Sequence, residues 1–121
     1  MTNREIHELT AREIDALVAE KVMEWEDHGK IGMAPKGILP SEEYYARYFA
    51  PQFEIPNYST DISAAWEITK KFRLPWSIGE CSDGDYECYI SNNITEYAET
   101  AAKAICKAAL KAVGVDIDSS K

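Results

Sequence analysis

A helix start followed by a forced stop constrains this chain most. In Tyr58-Ser59-Thr60-Asp61-Ile62-Ser63-Ala64-Ala65-Trp66-Glu67, the hydroxyl of Ser59 or Thr60 can cap the free amides of a first helical turn. Asp61 adds a negative charge at the positive end of the helix dipole. Ile62, Ala65, Trp66, Thr69 and Phe72 then recur on one face. Pro75 cannot continue a helix, so the spacing predicts one over 59–73. A helix with one apolar stripe must bury it against another element. Trp66, between Ile62 and Phe72 on that stripe, is expected in the core, as is Trp76.

Upstream, Thr2-Asn3-Arg4-Glu5 and Thr10-Ala11-Arg12-Glu13 both fit a capping box. The first predicts a short helix through Leu9. The second predicts a long one to about Asp27, making 2–28 helical, with Ile14, Leu17, Val18, Val22 and Trp25 as its stripe. Lys21 falls inside that stripe and reads as a lysine whose stem covers apolar surface. His28-Gly29 ends the helix. Residues 29–57 carry Gly32, Pro35, Gly37, Pro40, Pro51 and Pro56, which predicts a long loop. Ser41-Glu42-Glu43, followed by Tyr44, Tyr45 and Tyr48, predicts a helical turn within it that stops before Pro51. A loop of this length is either a lid or binding loop or a passive insertion over a sheet edge.

Downstream, Trp76 and Ile78 alternate with small or polar residues. So do Tyr86, Cys88 and Ile90, across Ser82-Asp83-Gly84-Asp85. This predicts a hairpin over 74–91 with one buried face, broken by Asn92 and Asn93. Thr95-Glu96 is expected to start the last helix, over 95–113. Ala98, Ala101, Ala102, Ile105, Ala109 and Val113 form its inner face, and its many alanines let neighbouring backbones approach closely. Gly114 ends it, and 115–121 reads as a tail. The expected class is α+β.

Three stretches carry a family likeness. They are Leu17-Val18-Ala19-Glu20-Lys21-Val22-Met23-Glu24-Trp25, the segment from Tyr58 to Glu67, and Ala104-Ile105-Cys106-Lys107-Ala108-Ala109-Leu110-Lys111-Ala112. In this order, with the Ser-Thr-Asp-Ile start and its Ala-Ala-Trp-Glu continuation, they resemble the phage ABA sandwich domain of small phage and prophage proteins. The likeness covers most of the chain and is poorest over 30–57. It implies one layered α/β/α sandwich over 1–121, with helices on a small antiparallel sheet, and a viral origin. It implies no activity, because most members of that family have none assigned.

Composition narrows the function classes. With 121 residues, one domain is expected, burying roughly two-thirds of its unfolded surface. The net charge of −8 opposes binding to a nucleic-acid polymer, which calls for a basic stripe. The scattered acids read as a solvated surface rather than a DNA mimic. No apolar run approaches the ~20 residues that span a membrane. Three cysteines, with no paired spacing and no signal peptide, point to a reducing cytoplasm, which the family resemblance implies is that of an infected bacterial cell. Cys81 and Cys88 flank the hairpin turn, where a bridge is geometrically feasible, but a reducing compartment favours free thiols.

The residues needed for catalysis are not apparent. His7 and His28 have no Cys or second His at metal-ligand spacing. Cys106, mid-helix among alanines, reads as a small buried hydrophobe. Gly29, Gly32 and Gly37 do not form a phosphate loop, and Asp83-Gly84-Asp85 has the spacing of a turn, not of a calcium loop. No cofactor, metal or catalytic residue is expected.

Binding fits better. Tyr44, Tyr45, Tyr48 and Tyr58 cluster in or beside the loop as stacking surfaces, with Arg47 among them and Lys36 nearby. Ser59 and Thr60 offer free amides for an anion, although Asp61 opposes one there and a plain helix cap is the competing reading of Ser59. These eight residues form the expected ligand site. The expected role is a non-enzymatic phage accessory protein, in its most concrete form a counter-defence sponge that sequesters a nucleotide immune signal as a homo-oligomer. An adaptor or inhibitor docking on a host protein is the first alternative. A hydrolase of the same nucleotide is the second, and would need a base or metal.

Overall fold

The computed structural model describes residues 10–72, 76–90 and 94–115. Helix α1 (Ala11–Leu17) passes into one π-helical turn (Val18–Val22). Then come β1 (Glu26–Asp27), a 3-10 turn (Gly29–Ile31), β2 (Met33–Ala34), α2 (Glu42–Tyr48) and α3 (Ile62–Thr69). The strands β3 (Trp76–Glu80), β4 (Tyr86–Ile90) and β5 (Ile94–Ala98) precede α4 (Ala101–Ala112). The chain is an α+β sandwich, with helices packed on a small antiparallel sheet that contains a hairpin, as expected. The sheet order is β3-β4-β5, and β1 and β2 form a separate two-stranded ribbon. No helix among the described residues is long and apolar enough to cross a membrane.

Alternation builds the sheet. The register sets Ile78 opposite Cys88, Cys88 opposite Glu96, and Ile90 opposite both Trp76 and Ile94. One face is thus mainly apolar, with Glu96 among its residues, and packs on α4, while Ser77, Gly79, Glu87, Tyr89, Thr95 and Tyr97 form the other. The hairpin turn is where the sequence puts it: Cys81 N–H donates to Asp85 C=O at 2.7 Å, and Gly84 takes φ 96°.

The start expected at Thr95-Glu96 is corrected, because these residues lie in a strand. Ile94 and Ala98 complete the inner face against β4, and α4 begins only at Thr100, whose Oγ1 accepts from Lys103 N–H at 3.2 Å. Glu96 falls on the inner face, where Lys111 at 3.2 Å and Lys107 at 3.9 Å reach it from α4. Gly114 ends α4 as expected, with φ 90° and with Val115 N–H on Leu110 C=O at 2.8 Å. Val113, expected inside, lies past the helix end and is exposed.

Most of α4 is buried, including Ala102, Ala104, Ile105, Cys106, Ala108, Ala109 and Leu110. That is wider than one stripe, because the sheet lies on one side while α3 and the first helical segment lie on another. The alanines have a consequence for α3. Interaxial distance follows the side chains at the contact, and a small-residue surface favours a small residue opposite. Ala65 and Ile68 accordingly face α4, and Trp66 is turned out, 50% exposed, with Ile62 also half-exposed. This corrects the expected facing of Trp66 and Ile62. Neither Ser59 nor Thr60 caps α3; Asp61 does, accepting from Ser63 N–H at 2.9 Å. Phe72 packs edge-on to a partly buried Trp76, with centroids 5.5 Å apart.

Helix α1 begins with the expected capping box at Thr10 and buries Ile14, Val18 and Val22. It does not reach Asp27. The π turn inserts an extra residue, Glu24 adopts φ 64°, and Trp25 N–H closes on Ala19 C=O at 2.8 Å. Glu26 and Asp27 pair with Ala34 and Met33 instead. Lys21 is exposed. The expected helix before Leu9, the stop at Arg73–Pro75, the break at Asn92–Asn93 and the end of the tail lie outside the described residues.

One carboxylate enters this core. Asp15 is 1% exposed. Its Oδ1 accepts from Ser59 N–H at 2.7 Å and its Oδ2 from Arg12 at 3.0 Å. Arg12 also donates to Asn57 Oδ1 at 2.7 Å and Ile55 C=O at 3.2 Å, and Ser59 Oγ donates to Ala11 C=O at 3.0 Å. The end of the long loop is thereby stitched to α1, and Tyr58 is carried into the core.

Three stability outcomes are expected. Asp15→Ala strands the buried Ser59 amide, at a cost of about 1–3 kcal/mol, and its melt in calorimetry is expected to fall by roughly 5–15 °C. Ala65→Leu overpacks the α3–α4 contact and is expected to cost about 1–3 kcal/mol. Trp66→Ala is expected to cost about 1 kcal/mol or less; denaturant titration of the two variants checks the facing of α3.

Candidate functional site

Between β2 and α3 the chain leaves the core. Ser41 caps α2 by accepting from Tyr44 N–H at 3.1 Å, and Ser41 N–H donates to Gln52 Oε1 at 2.8 Å, tying the start of the excursion to its end. Gly32 anchors it to the β1–β2 ribbon. A Cβ at Gly32 would meet Pro51 Cβ at 2.5 Å, and Gly32 φ is 108°, so only glycine suits this contact. Phe49 closes α2 in the left-handed region, φ 56°, with its N–H on Tyr45 C=O at 2.6 Å. Holding a bulky residue there costs of order 1–3 kcal/mol.

No residue of α2 is buried. Its outer face carries Ser41, Glu43, Tyr44, Arg47 and Tyr48 around a shallow hollow of about 260 Å³. The Tyr44 and Tyr48 rings meet at 4.7 Å, tilted by 47°. These positions follow the three- and four-residue steps of one helix face. Glu42, Tyr45, Ala46 and Phe49 follow the same steps on another face, and with His28, Lys30 and Ile31 they line a hollow of about 550 Å³. Leu39, 80% exposed, Phe49, 82%, and Tyr48, 57%, stand in solvent on this arm.

The eight residues expected at one ligand site are dispersed. Tyr44, Arg47 and Tyr48 come together on the outer face, while Tyr45 points to the second hollow. Tyr58 and Ser59 are in the core, drawn there by the Asp15 stitch. Thr60 is exposed and, together with the buried Ser59, lines a separate cleft of about 320 Å³ with Ala11, Ile14, Glu99, Thr100 and Lys103. Lys36 lies 3.9 Å from Glu24. Sequence reasoning left out His28 and Phe49 as wall residues. The helical spacing 42, 45, 46, 49 was the signal that could have found this second face.

The reactive groups in the core are muted. Among the described residues no three His, Cys, Asp or Glu come together to hold a metal. The three cysteines are free thiols. Burial, with Glu96 adding, pushes Cys88 up to about 12. Burial, then Asp15 and Cys88, raises Cys106 further. Tyr58 is pushed up to about 12 by burial, with Cys106, Asp15 and Glu67 adding. None of the three supplies an anionic nucleophile near neutral pH.

The family model for the Phage ABA sandwich domain matches residues 16–110. The crystal structure of a phage protein from Bacillus cereus ATCC 14579 is similar in fold, with a TM-score of 0.70 over 96% of this chain and 94% of that one, at 23% identity. No curated protein matches the chain.

The raised acids set a pH dependence. In the unfolded chain these thiols ionise near 9.0 and the phenol near 10.0, whereas in the fold Cys88 and Tyr58 resist to about 12. Their stabilising contribution is therefore complete below pH 9 and lost as pH rises through 12. Melting temperatures are expected to drop across that window. At neutral pH an alkylating reagent is expected to label half-buried Cys81 in the native protein, and Cys88 and Cys106 only after unfolding, as read by mass spectrometry.

Proposed function

The chain belongs to the Phage ABA sandwich domain family, and we propose that this phage protein acts by binding, as an adaptor or inhibitor docked on a host protein through α2. The observation that carries this reading is a helix with no buried residue that holds large aromatic side chains in solvent. Tyr and Arg are enriched among the residues that dominate binding energy at interfaces, where each fills a pocket on the partner. On α2, Tyr44, Arg47 and Tyr48 share one face, and Leu39 and Phe49 extend the apolar surface beside it. The Asp15 stitch and the Gly32–Pro51 contact present this arm on a fixed base rather than a slack loop. The setting in this reading is the cytoplasm of the infected bacterium, where free thiols persist.

A second reading keeps the same face but gives it a nucleotide. Arg47, on one helix face with Tyr44 and Tyr48, offers a cation beside two stacking surfaces. Glu43 shares that hollow, and the hollow is shallow, whereas small-ligand sites bury most of their ligand. A sponge on this face would therefore need a second copy of the chain to close it, which ties nucleotide sequestration to a homo-oligomer. A hydrolase has least support: among the described residues no three His, Cys, Asp or Glu come together to hold a metal.

Arg47→Glu and Tyr48→Ala test both readings, since each residue is exposed and its loss leaves the core intact. Against the host protein recovered with the wild-type chain, both variants are expected to bind about ten-fold or more weakly with unchanged melting temperatures. Calorimetry with cyclic dinucleotides and light scattering against the 13.6 kDa protomer mass separate the second reading. Heat with a nucleotide, lost in Arg47→Glu, together with a dimeric mass, would transfer the function to sequestration. Unchanged affinity in both variants would remove α2 as the binding element.

A further inference from the structure

We propose that β3 is the seam of a symmetric dimer, in which this edge of the sheet pairs antiparallel with the same strand of a second copy. Two strands of the sheet are edges, β3 and β5. The fold treats them differently.

In an antiparallel pair the bonding alternates: one residue exchanges both backbone hydrogen bonds with its opposite number, and the next turns both groups away. Cys81 N–H donates to Asp85 C=O across the hairpin turn. Counting back along the register from that pair, Gly79 bonds with Glu87 and Ser77 with Tyr89. Trp76, Ile78 and Glu80 therefore point their N–H and C=O groups out of the sheet. By the same alternation Tyr86, Cys88 and Ile90 bond to β5, which leaves the Tyr97 C=O on the opposite edge. Lys107 Nζ, from α4, donates to that carbonyl at 2.7 Å. The β5 edge is thus guarded by a charged side chain, a common defence against strand addition.

The β3 edge has no such guard. Among the described residues, no group bonds to the outward backbone of Trp76, Ile78 or Glu80. The strand Trp76-Ser77-Ile78-Gly79-Glu80 contains neither Lys nor Pro. Ser77, Gly79 and Glu80 are exposed. Trp76 and Ile78 stay half-buried, whereas Cys88 and Ile90, one strand further in, are fully buried. The inner face is one strand short here.

The strand is complementary to itself. With Ile78 on the two-fold axis, Ile78 of each copy faces Ile78 of the other, Trp76 faces Glu80, and Ser77 faces Gly79. Every outward residue then meets an outward residue, so each of these bonded pairs can exchange two hydrogen bonds. Small residues meet on the outer face, and no carboxylate faces another. The charges agree as well. Glu80, Asp83 and Asp85 lie at one end of β3. At the other end exposed Lys71 precedes Phe72, whose ring packs on Trp76. Antiparallel pairing lays the acidic end of one copy beside the basic end of the other, which offsets the repulsion between two chains of net charge −8.

Sedimentation of the full chain between about 10 μM and 1 mM is expected to show the mass rising from 13.6 kDa toward twice that value. Glu80→Pro removes an N–H that the sheet itself does not use. It is expected to weaken association about ten-fold or more, with an unchanged melting temperature. Tyr48→Ala is expected to leave association unaltered, which separates this seam from the docking face. Oxidation with copper–phenanthroline reads the register, in chains that all carry Cys81→Ser. Ser77 and Gly79 face each other as a non-bonded pair, at a spacing that a disulfide spans, and a Cβ at Gly79 would meet nothing within 4 Å. A mixture of Ser77→Cys and Gly79→Cys chains is expected to cross-link, and either chain alone is not. A monomer at about 1 mM, a dimer that survives Glu80→Pro or is lost in Tyr48→Ala, or cross-linking with no preference for the mixture would each overturn the proposal. If Glu80→Pro fails to fold, the mixed disulfide decides.

Discussion

Close approach to α4 is the constraint on which the other elements depend. Its alanines keep the helix thin, so the sheet can pack on one side while α3 and the first helical segment pack on another. Larger residues at those positions would push the layers apart and leave Ile105, Leu110 and Cys106 in contact with fewer partners. The same thinness dictates what may face α4. Ala65 and Ile68 fit, and Trp66 does not, although Trp66 is the more apolar choice by side-chain area. Packing geometry here overrules the hydrophobic ranking of residues.

The buried Asp15 has a different role. It is almost fully buried, and its two oxygens are satisfied by Ser59 N–H and Arg12. Arg12 is itself largely exposed, so its charge remains hydrated while its guanidinium fans out to Asn57 and Ile55. The loop therefore ends at a defined point on α1, and the start of α3 inherits that position. Beyond this point the excursion around α2 needs only its own ties, Ser41 to Gln52 and Gly32 against Pro51, to stand clear of the core. Function is best sought on this arm, because it exposes side chains whose burial the fold does not require.

Much of the fold was legible locally. Thr10 and Ser41 announced their helices through hydroxyl caps, Gly84 its turn, and Gly114 its stop, since each acts on neighbours in sequence. Alternation at Trp76–Ile78 and Tyr86–Ile90 identified the hairpin. The strand at Ile94–Ala98 was missed because Thr95-Glu96 and Thr100 are both plausible helix starts, and only pairing with β4 decides between them. The ribbon of β1 and β2 has two residues per strand, too few to show any period. The candidate site was less legible. Tyr44, Arg47 and Tyr48 share a face by helical spacing, but nothing local distinguishes Tyr58, in the core, from its exposed counterparts.

By itself, then, the sequence determined the α+β class, the family likeness, the starts of α1 and α2, the stops of α2 and α4, and the aromatic character of the 29–57 segment. Caps, prolines and glycines act within a turn or two of their own positions, so one dimension suffices to read them. Only the tertiary structure decided which way Trp66 faces, that Ser59 serves as a stitch rather than a cap, and that Tyr45 and Tyr48 look into different hollows. Those outcomes depend on groups far apart in sequence, Asp15 with Ser59 and Ala65 with α4, whose distances are set when the layers close.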